Sequence, residues 1–137
     1  MSYNILVVDD SMTARLFITK ALQLGGADIG KIIQAKDGKE ALATLEKEWI
    51  DLVFADINMP EMNGIEMVQR MNTSGLLQSI PVAIISTERS ETRIEELKTA
   101  GVRVFLHKPV TPEMLKKVVD TLLNPGASRE SVEELGL

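Results

Sequence analysis

Four polar sites stand where short apolar runs stop. Asp9-Asp10 follows Ile5-Leu6-Val7-Val8, and Asp56 follows Leu52-Val53-Phe54-Ala55. Ser86-Thr87 closes Val82-Ala83-Ile84-Ile85, and Lys108-Pro109 comes just after Val102-Arg103-Val104-Phe105-Leu106. Three carboxylates gathered in one place repel one another and raise one another's pKa. A divalent cation relieves that repulsion, and oxygen-only ligands suit Mg²⁺, with Mn²⁺ as the alternative. A lysine beside them is a mobile point charge suited to a phosphoryl oxygen. A hydroxyl opposite can donate a hydrogen bond to the same group. The four sites together would hold Mg²⁺ and a phosphoryl group side by side.

Taken singly, each site has a plainer explanation. An Asp-Asp pair is usually a turn or a cap, Lys-Pro a loop, and Ser-Thr a strand end. His107 reads as a packing or solvated residue, and Trp49 as a hydrophobic plug after the second helix. The seven methionines read as core filler and loop packing. What outweighs these explanations is coincidence, since every polar site falls at the end of an apolar run and in an order that one fold can use.

That fold follows from the alternation of patterns. The runs at 5–8, 52–55 and 82–86 are nearly continuous in apolar character, as strands covered on both faces are. Val102 to Leu106 is a further strand, and Lys31-Ile32-Ile33-Gln34-Ala35 a weaker one. Helical spacing fills the gaps. Met12 to Leu24 turns Leu16, Ile18, Ala21 and Leu22 inward, and Glu40 to Glu48 turns Ala41, Leu42 and Leu45. Ile65 to Met71 turns Ile65, Val68 and Met71, and Ser90 to Ala100 turns Ile94 and Leu97. Thr111 to Leu123 turns Met114, Leu115, Val118 and Leu122. Thr111-Pro112-Glu113 is a strong helix start, Ser90 offers half of a capping box, and Gly101 is a helix stop. Five strands alternating with five helices imply an α/β doubly wound parallel sheet with right-handed crossovers. Ligands of such sheets bind beyond the carboxyl ends of the strands, where all four polar sites lie.

Composition bounds the function. The chain has 137 residues, one domain's worth, enough to bury roughly 70% of its unfolded surface. Net charge is −5, which disfavours nonspecific nucleic-acid binding. Cysteine is absent and histidine occurs once, which excludes disulfides, thiolate metal sites and multi-histidine sites. No apolar run approaches the ~18 residues that a bilayer span needs. Met1-Ser2-Tyr3-Asn4 has no cationic segment ahead of an apolar one, so a cytoplasmic protein is expected. Asn124-Pro125-Gly126-Ala127-Ser128 breaks helicity. Residues 1–123 are therefore expected to form the domain, and 124–137 a frayed tail or a short amphipathic helix carrying Val132 and Leu135.

The quoted residues carry a resemblance. Ile5-Leu6-Val7-Val8-Asp9-Asp10-Ser11, Leu52 through Asp56-Ile57-Asn58-Met59-Pro60-Glu61-Met62-Asn63-Gly64, Pro81 through Ser86-Thr87, and Phe105-Leu106-His107-Lys108-Pro109 resemble the receiver domain of two-component response regulators, of the stand-alone, CheY-like type. The likeness covers residues 4–123. It implies the flavodoxin-like strand order 2-1-3-4-5 with five helices. It implies that Asp56 is the phosphoacceptor, taking a phosphoryl group from the phosphohistidine of a histidine kinase. Asp9, Asp10, Asp56 and the backbone carbonyl of Asn58 are then the Mg²⁺ ligands. Lys108 pairs with a phosphoryl oxygen. Ser86, in preference to Thr87, is the switch hydroxyl, Phe105 the switch aromatic, and Lys108-Pro109 a candidate cis peptide.

The resemblance further implies a signalling switch, not an enzyme, with self-phosphorylation from small donors and autodephosphorylation. Asn58 and Glu88 are the flanking residues that tune phosphoryl lifetime, and their polarity suggests a short one. As Ser86 moves toward the phosphoryl group, Phe105 turns inward and reshapes the face of helix four, strand five and helix five. A downstream protein effector, such as a flagellar motor switch, would read that face, and an auxiliary phosphatase could reset it. A phosphate sink or another protein-binding regulator is the alternative. A monomer is expected, with neither nucleic acid nor membrane as partner. Two departures from the family pattern are visible. Ser86 stands where threonine is commoner, which gives a looser rotamer. Phe105 lacks a phenolic hydroxyl, so its switching is by burial alone. Two other classes share such a fold. A dehalogenase-type phosphatase needs a second Asp where Asn58 stands, and a flavin-binding domain needs a hydroxyl-rich loop where Asp9-Asp10 stands.

Overall fold

A computed structural model describes residues 2–123 of the chain. The elements alternate as β1 (Tyr3–Val8), α1 (Met12–Leu24), β2 (Ile29–Ala35), α2 (Gly38–Lys47), β3 (Leu52–Ala55), α3 (Gly64–Asn72), β4 (Val82–Ser86), α4 (Glu91–Thr99), β5 (Val104–His107) and α5 (Pro112–Leu123). All neighbouring strands pair in parallel in the order β2-β1-β3-β4-β5, which is the order the resemblance implies. Val8 stands level with both Ala35 and Ala55, so the chain leaves β1, β2 and β3 at one edge.

Successive strand residues face opposite sides of a sheet, and here both sides are covered. Ile5, Val7, Phe54 and Ile85 pack under α1 and α5, against Ile18, Leu22, Leu115 and Val118. Leu6, Val8, Val53 and Ile84 pack under α2, α3 and α4, against Leu45, Met67, Met71 and Leu97. Two cores therefore sandwich the sheet, which is why its strands read as continuous apolar runs.

Helix starts are chemically marked. Ser11, Asp37, Asn63 and Ser90 each accept a hydrogen bond from a first-turn N–H, and Asn63 forms a full capping box with Glu66. Thr111 caps α5 through the N–H of Met114 at 3.2 Å. Gly101 follows α4 at φ +99°, a conformation that glycine adopts without a Cβ penalty.

Three expectations need correction. Leu16 is 53% exposed, because the inner stripe of α1 is Ile18, Ala21 and Leu22, and a residue two positions before Ile18 points away from it. Trp49 is 79% exposed and plugs nothing. Its indole N–H donates to Asp51 Oδ1 at 3.0 Å, which holds the ring on the surface turn before β3. β5 begins at Val104 and runs through His107, so Val102 is a buried residue ahead of the strand. The tail expected at 124–137 lies outside the described residues. Among the described residues no helix is long and apolar enough to cross a membrane.

Candidate functional site

The strand ends converge as the alternation requires. Asp9 leaves β1 with its side chain only 2% exposed. Its Oδ1 accepts the N–H of Ser11 at 2.9 Å and its Oδ2 the Lys108 amine at 3.0 Å. Arg15 Nη1 donates to the Asp9 carbonyl at 2.7 Å, and Arg15 Nε donates to Gln34 Oε1 at 3.0 Å. The first turn of α1 is thereby fastened across the ends of β1 and β2.

Asp56 leaves β3, and its N–H is bonded to the Val8 carbonyl at 3.0 Å. Its Oδ1 accepts the N–H of Ile57 at 2.7 Å, and its Oδ2 accepts the Lys108 amine at 3.2 Å. A Cβ placed on Gly64 would collide with the Asp56 carbonyl oxygen. Only glycine lets α3 begin this close behind the carboxylate.

Lys108 therefore bridges Asp9 and Asp56. Burial pulls its pKa down, but the two carboxylates outweigh burial and the net shift is upward. The Lys108-Pro109 peptide is cis, as expected. The Lys108 N–H donates to the Ser86 carbonyl at 3.0 Å, which keys β5 to the end of β4. Ser86 is fully buried, and its Oγ accepts the N–H of Glu88 at 3.2 Å. Thr87 is exposed. Burial thus distinguishes the two hydroxyls, Ser86 lying inside and Thr87 outside.

Asp10 and Asn58 are exposed at the rim. Glu88, two residues beyond Ser86, is pulled below the usual carboxylate range. The Ser90 N–H is the main cause, working against burial, with Asn58, Arg93 and the Arg89 N–H adding to it. Phe105 is already inward, 3% exposed, with its ring centroid 4.9 Å from that of His107. A side chain without a hydroxyl has nothing to leave in water, so burial is its resting preference.

Among the described residues no group of three acidic or histidine side chains is preassembled to hold a metal ion. Asp9 and Asp56 converge on the Lys108 amine, and Asp10 stands exposed beside them. The donor chemistry nevertheless fits a hard divalent cation. Asp9, Asp56, Asp10 and the Asn58 carbonyl offer oxygen alone, and each Asp9 and Asp56 oxygen has one hydrogen bond and a lone pair to spare. Sequence reasoning missed Arg15, Arg93 and the tight fit at Gly64. An arginine four residues after Ser11, and another three residues after Ser90, sit in the first turns of helices that begin at strand ends. That placement was the available signal.

The family model for the response regulator receiver domain matches residues 5–120. This chain belongs to that family. Among its relatives, a chemotaxis protein CheY homolog of Campylobacter jejuni is 34% identical over 131 residues, covering 95% of this chain and 99% of the relative. Protein PilH of Pseudomonas aeruginosa is 34% identical, with 88% and 97% covered. The structure of chemotaxis protein CheY4 of Vibrio cholerae matches with a TM-score of 0.80 at 33% identity, over 90% of this chain and all of that one. Membership of the receiver family sets aside the dehalogenase-type and flavin-binding readings, which share the fold class but not the family.

Proposed function

We propose that this receiver domain is a stand-alone phosphoacceptor switch, with Asp56 as the phosphorylated residue and a histidine kinase as the donor. The observation that carries the reading is the Lys108 amine held between Asp9 and Asp56, beside the buried Ser86 hydroxyl. A carboxylate oxygen of Asp56 attacks phosphorus, the P–N bond of the phosphohistidine breaks, and the imidazole departs with its electron pair and takes up a proton. Lys108 exchanges its carboxylate partner for a phosphoryl oxygen, and Ser86 turns its O–H from the rim toward the same group. Asp9, Asp10, Asp56 and the Asn58 carbonyl are the residues that would hold Mg²⁺, which when bound would supply neutralisation of charge on the phosphoryl oxygens.

Phosphorylation adds about −1.5 to −2 charge and three acceptor oxygens. Phe105 rests inward already, so the expected inward turn gives way to a shift among populations of the α4–β5–α5 face. A downstream protein reads that face. The names of the CheY relatives support chemotaxis-type signalling, and on that reading a flagellar motor switch would be the effector.

Intact-mass spectrometry after incubation with acetyl phosphate and Mg²⁺ tests the reading. One phosphoryl group is expected on the wild type, and none on Asp56→Asn or without metal. An adduct that persists on Asp56→Asn would move the phosphoacceptor elsewhere.

A further inference from the structure

The rim between Asn58 and helix α4 contains a charge pair that the switch chemistry above does not use. Glu88 Oε2 accepts the N–H groups of Ser90 at 3.1 Å and Arg89 at 3.2 Å, and its Oε1 lies 3.1 Å from Arg93 Nε. The Arg93 side chain is 35% exposed and that of Glu88 18%, so the pair sits at the surface edge of the pocket, in partial contact with water. Arg93 Nε is itself shielded from solvent, and its N–H aligns on no acceptor. Opposite charge, not a directional hydrogen bond, ties the two together. The Arg93 N–H bonds to the capping Ser90 Oγ, which seats the guanidinium in the first turn of α4. On the other side the Glu88 N–H reaches Ser86 Oγ, and Asn58 meets the Glu88 carboxylate.

We propose that Arg93 is a positioning residue that holds Glu88 in a neutral pair and so keeps the pocket rim receptive to anionic phosphodonors. The proposal rests on the phosphoacceptor reading. Without Arg93, Glu88 presents an unpaired carboxylate two residues from the switch hydroxyl, where a small phosphodonor carrying two negative charges must pass. Like charge at the mouth of a pocket lowers the encounter rate, and salt screens that effect.

The test is the rate of loading from acetyl phosphate with Mg²⁺, followed by intact mass, for Arg93→Ala, Arg93→Lys, Glu88→Gln and the Arg93→Ala/Glu88→Gln double variant. Arg93→Ala should load about three- to tenfold more slowly at low salt, with the gap narrowing at high salt. Arg93→Lys should stay close to wild type. With Gln at 88, removing Arg93 should no longer matter, because its target charge is gone. An equal slowing in the Gln background, or no slowing at all, overturns the proposal. The NMR signal of the Asn58 side-chain amide gives an independent readout. It should shift in Arg93→Ala and stay in place in Arg93→Lys. If wild type takes up no phosphoryl group, the phosphoacceptor reading fails instead. The Asn58 signal then decides the Arg93 latch alone, a shift sustaining it and an unmoved signal overturning it.

Discussion

The floor and the rim of this pocket are built differently. The floor is Asp9, Asp56, Ser86 and Lys108, each at a strand end whose backbone is locked to a neighbour, as by Asp56 N–H to Val8 and Lys108 N–H to Ser86. The rim is Asn58, Glu88 and Arg93, placed by loops and by the first turn of a helix that buries one side chain fully, Leu97. On the proposed reading, the floor would fix where a phosphoryl group goes. On the same reading, the rim would alter how readily that group arrives and leaves without moving the sheet. Division of this kind lets one fold keep its chemistry while its kinetics vary.

The largest effect expected from breaking the floor, short of removing Asp56, comes from Lys108→Ala. Asp9 is almost fully buried and its carboxylate would be left with only the Ser11 N–H for support. Breaking a fully buried pair costs about 3–5 kcal/mol, and partial exposure of Lys108 lowers the expectation to about 2–3 kcal/mol. Urea denaturation at neutral pH measures it. Millimolar Mg²⁺ should restore more stability to Lys108→Ala than to wild type, because a divalent cation can replace the lost ammonium between the carboxylates. A deficit indifferent to Mg²⁺ would mean that Asp9 and Asp56 do not form a cation site.

The same contrast explains what could be read from the sequence. The floor was legible because a strand end is marked twice, by the apolar run before it and by the polar residue that stops it. Asp9, Asp56, Ser86 and Lys108 are found that way, and the alternating elements place them at one edge. That the Lys108 amine reaches both Asp9 and Asp56 was not legible, since no spacing in the sequence says which carboxylates one amine meets. Nor was the Glu88–Arg93 pair, because a helix with Glu91, Arg93, Glu95, Glu96 and Lys98 offers many pairings and no periodicity selects among them. Leu16 and Trp49 fail for a related reason. Apolar character predicts burial only where a neighbour exists to bury against, and hydrophobic residues commonly remain on surfaces.

The two regions should also separate by pH. Glu88 is lowered, so the unfolded state takes up its proton first as pH falls. Its stabilisation is present above its unfolded value near 4.5 and is lost as pH drops through the lower folded value. Lys108 is raised, so its stabilisation is full below its unfolded value near 10.5 and is lost as pH climbs through the higher folded value. Glu88 therefore contributes to the acid limb of the stability curve and Lys108 to the alkaline limb. Urea midpoints across the pH range should show Glu88→Gln with a flatter acid limb and an unchanged alkaline one. Lys108→Ala should show the reverse on the alkaline side. Acid limbs that superimpose for wild type and Glu88→Gln would remove Glu88 from the account.

The smallest expected effect gives the finest test of how α4 is fastened. Its N-terminal end is held by the rim through Ser90, Glu88 and Arg93, whereas its C-terminal end is held by Asn72 of α3, whose side-chain amide donates to the Ala100 carbonyl. Asn72→Ala removes one exposed hydrogen bond, and about 1 kcal/mol or less is expected. Hydrogen exchange should quicken at the C-terminal amides of α4, near Ala100, and leave its first turn unchanged. Arg93→Ala should do the opposite. Loading from acetyl phosphate should then respond to Arg93 and not to Asn72, because only the N-terminal fastening touches Glu88. If Asn72→Ala slows loading as much as Arg93→Ala does, α4 moves as one rigid piece. The rim would then be an extension of the helix, and not a separately adjustable wall.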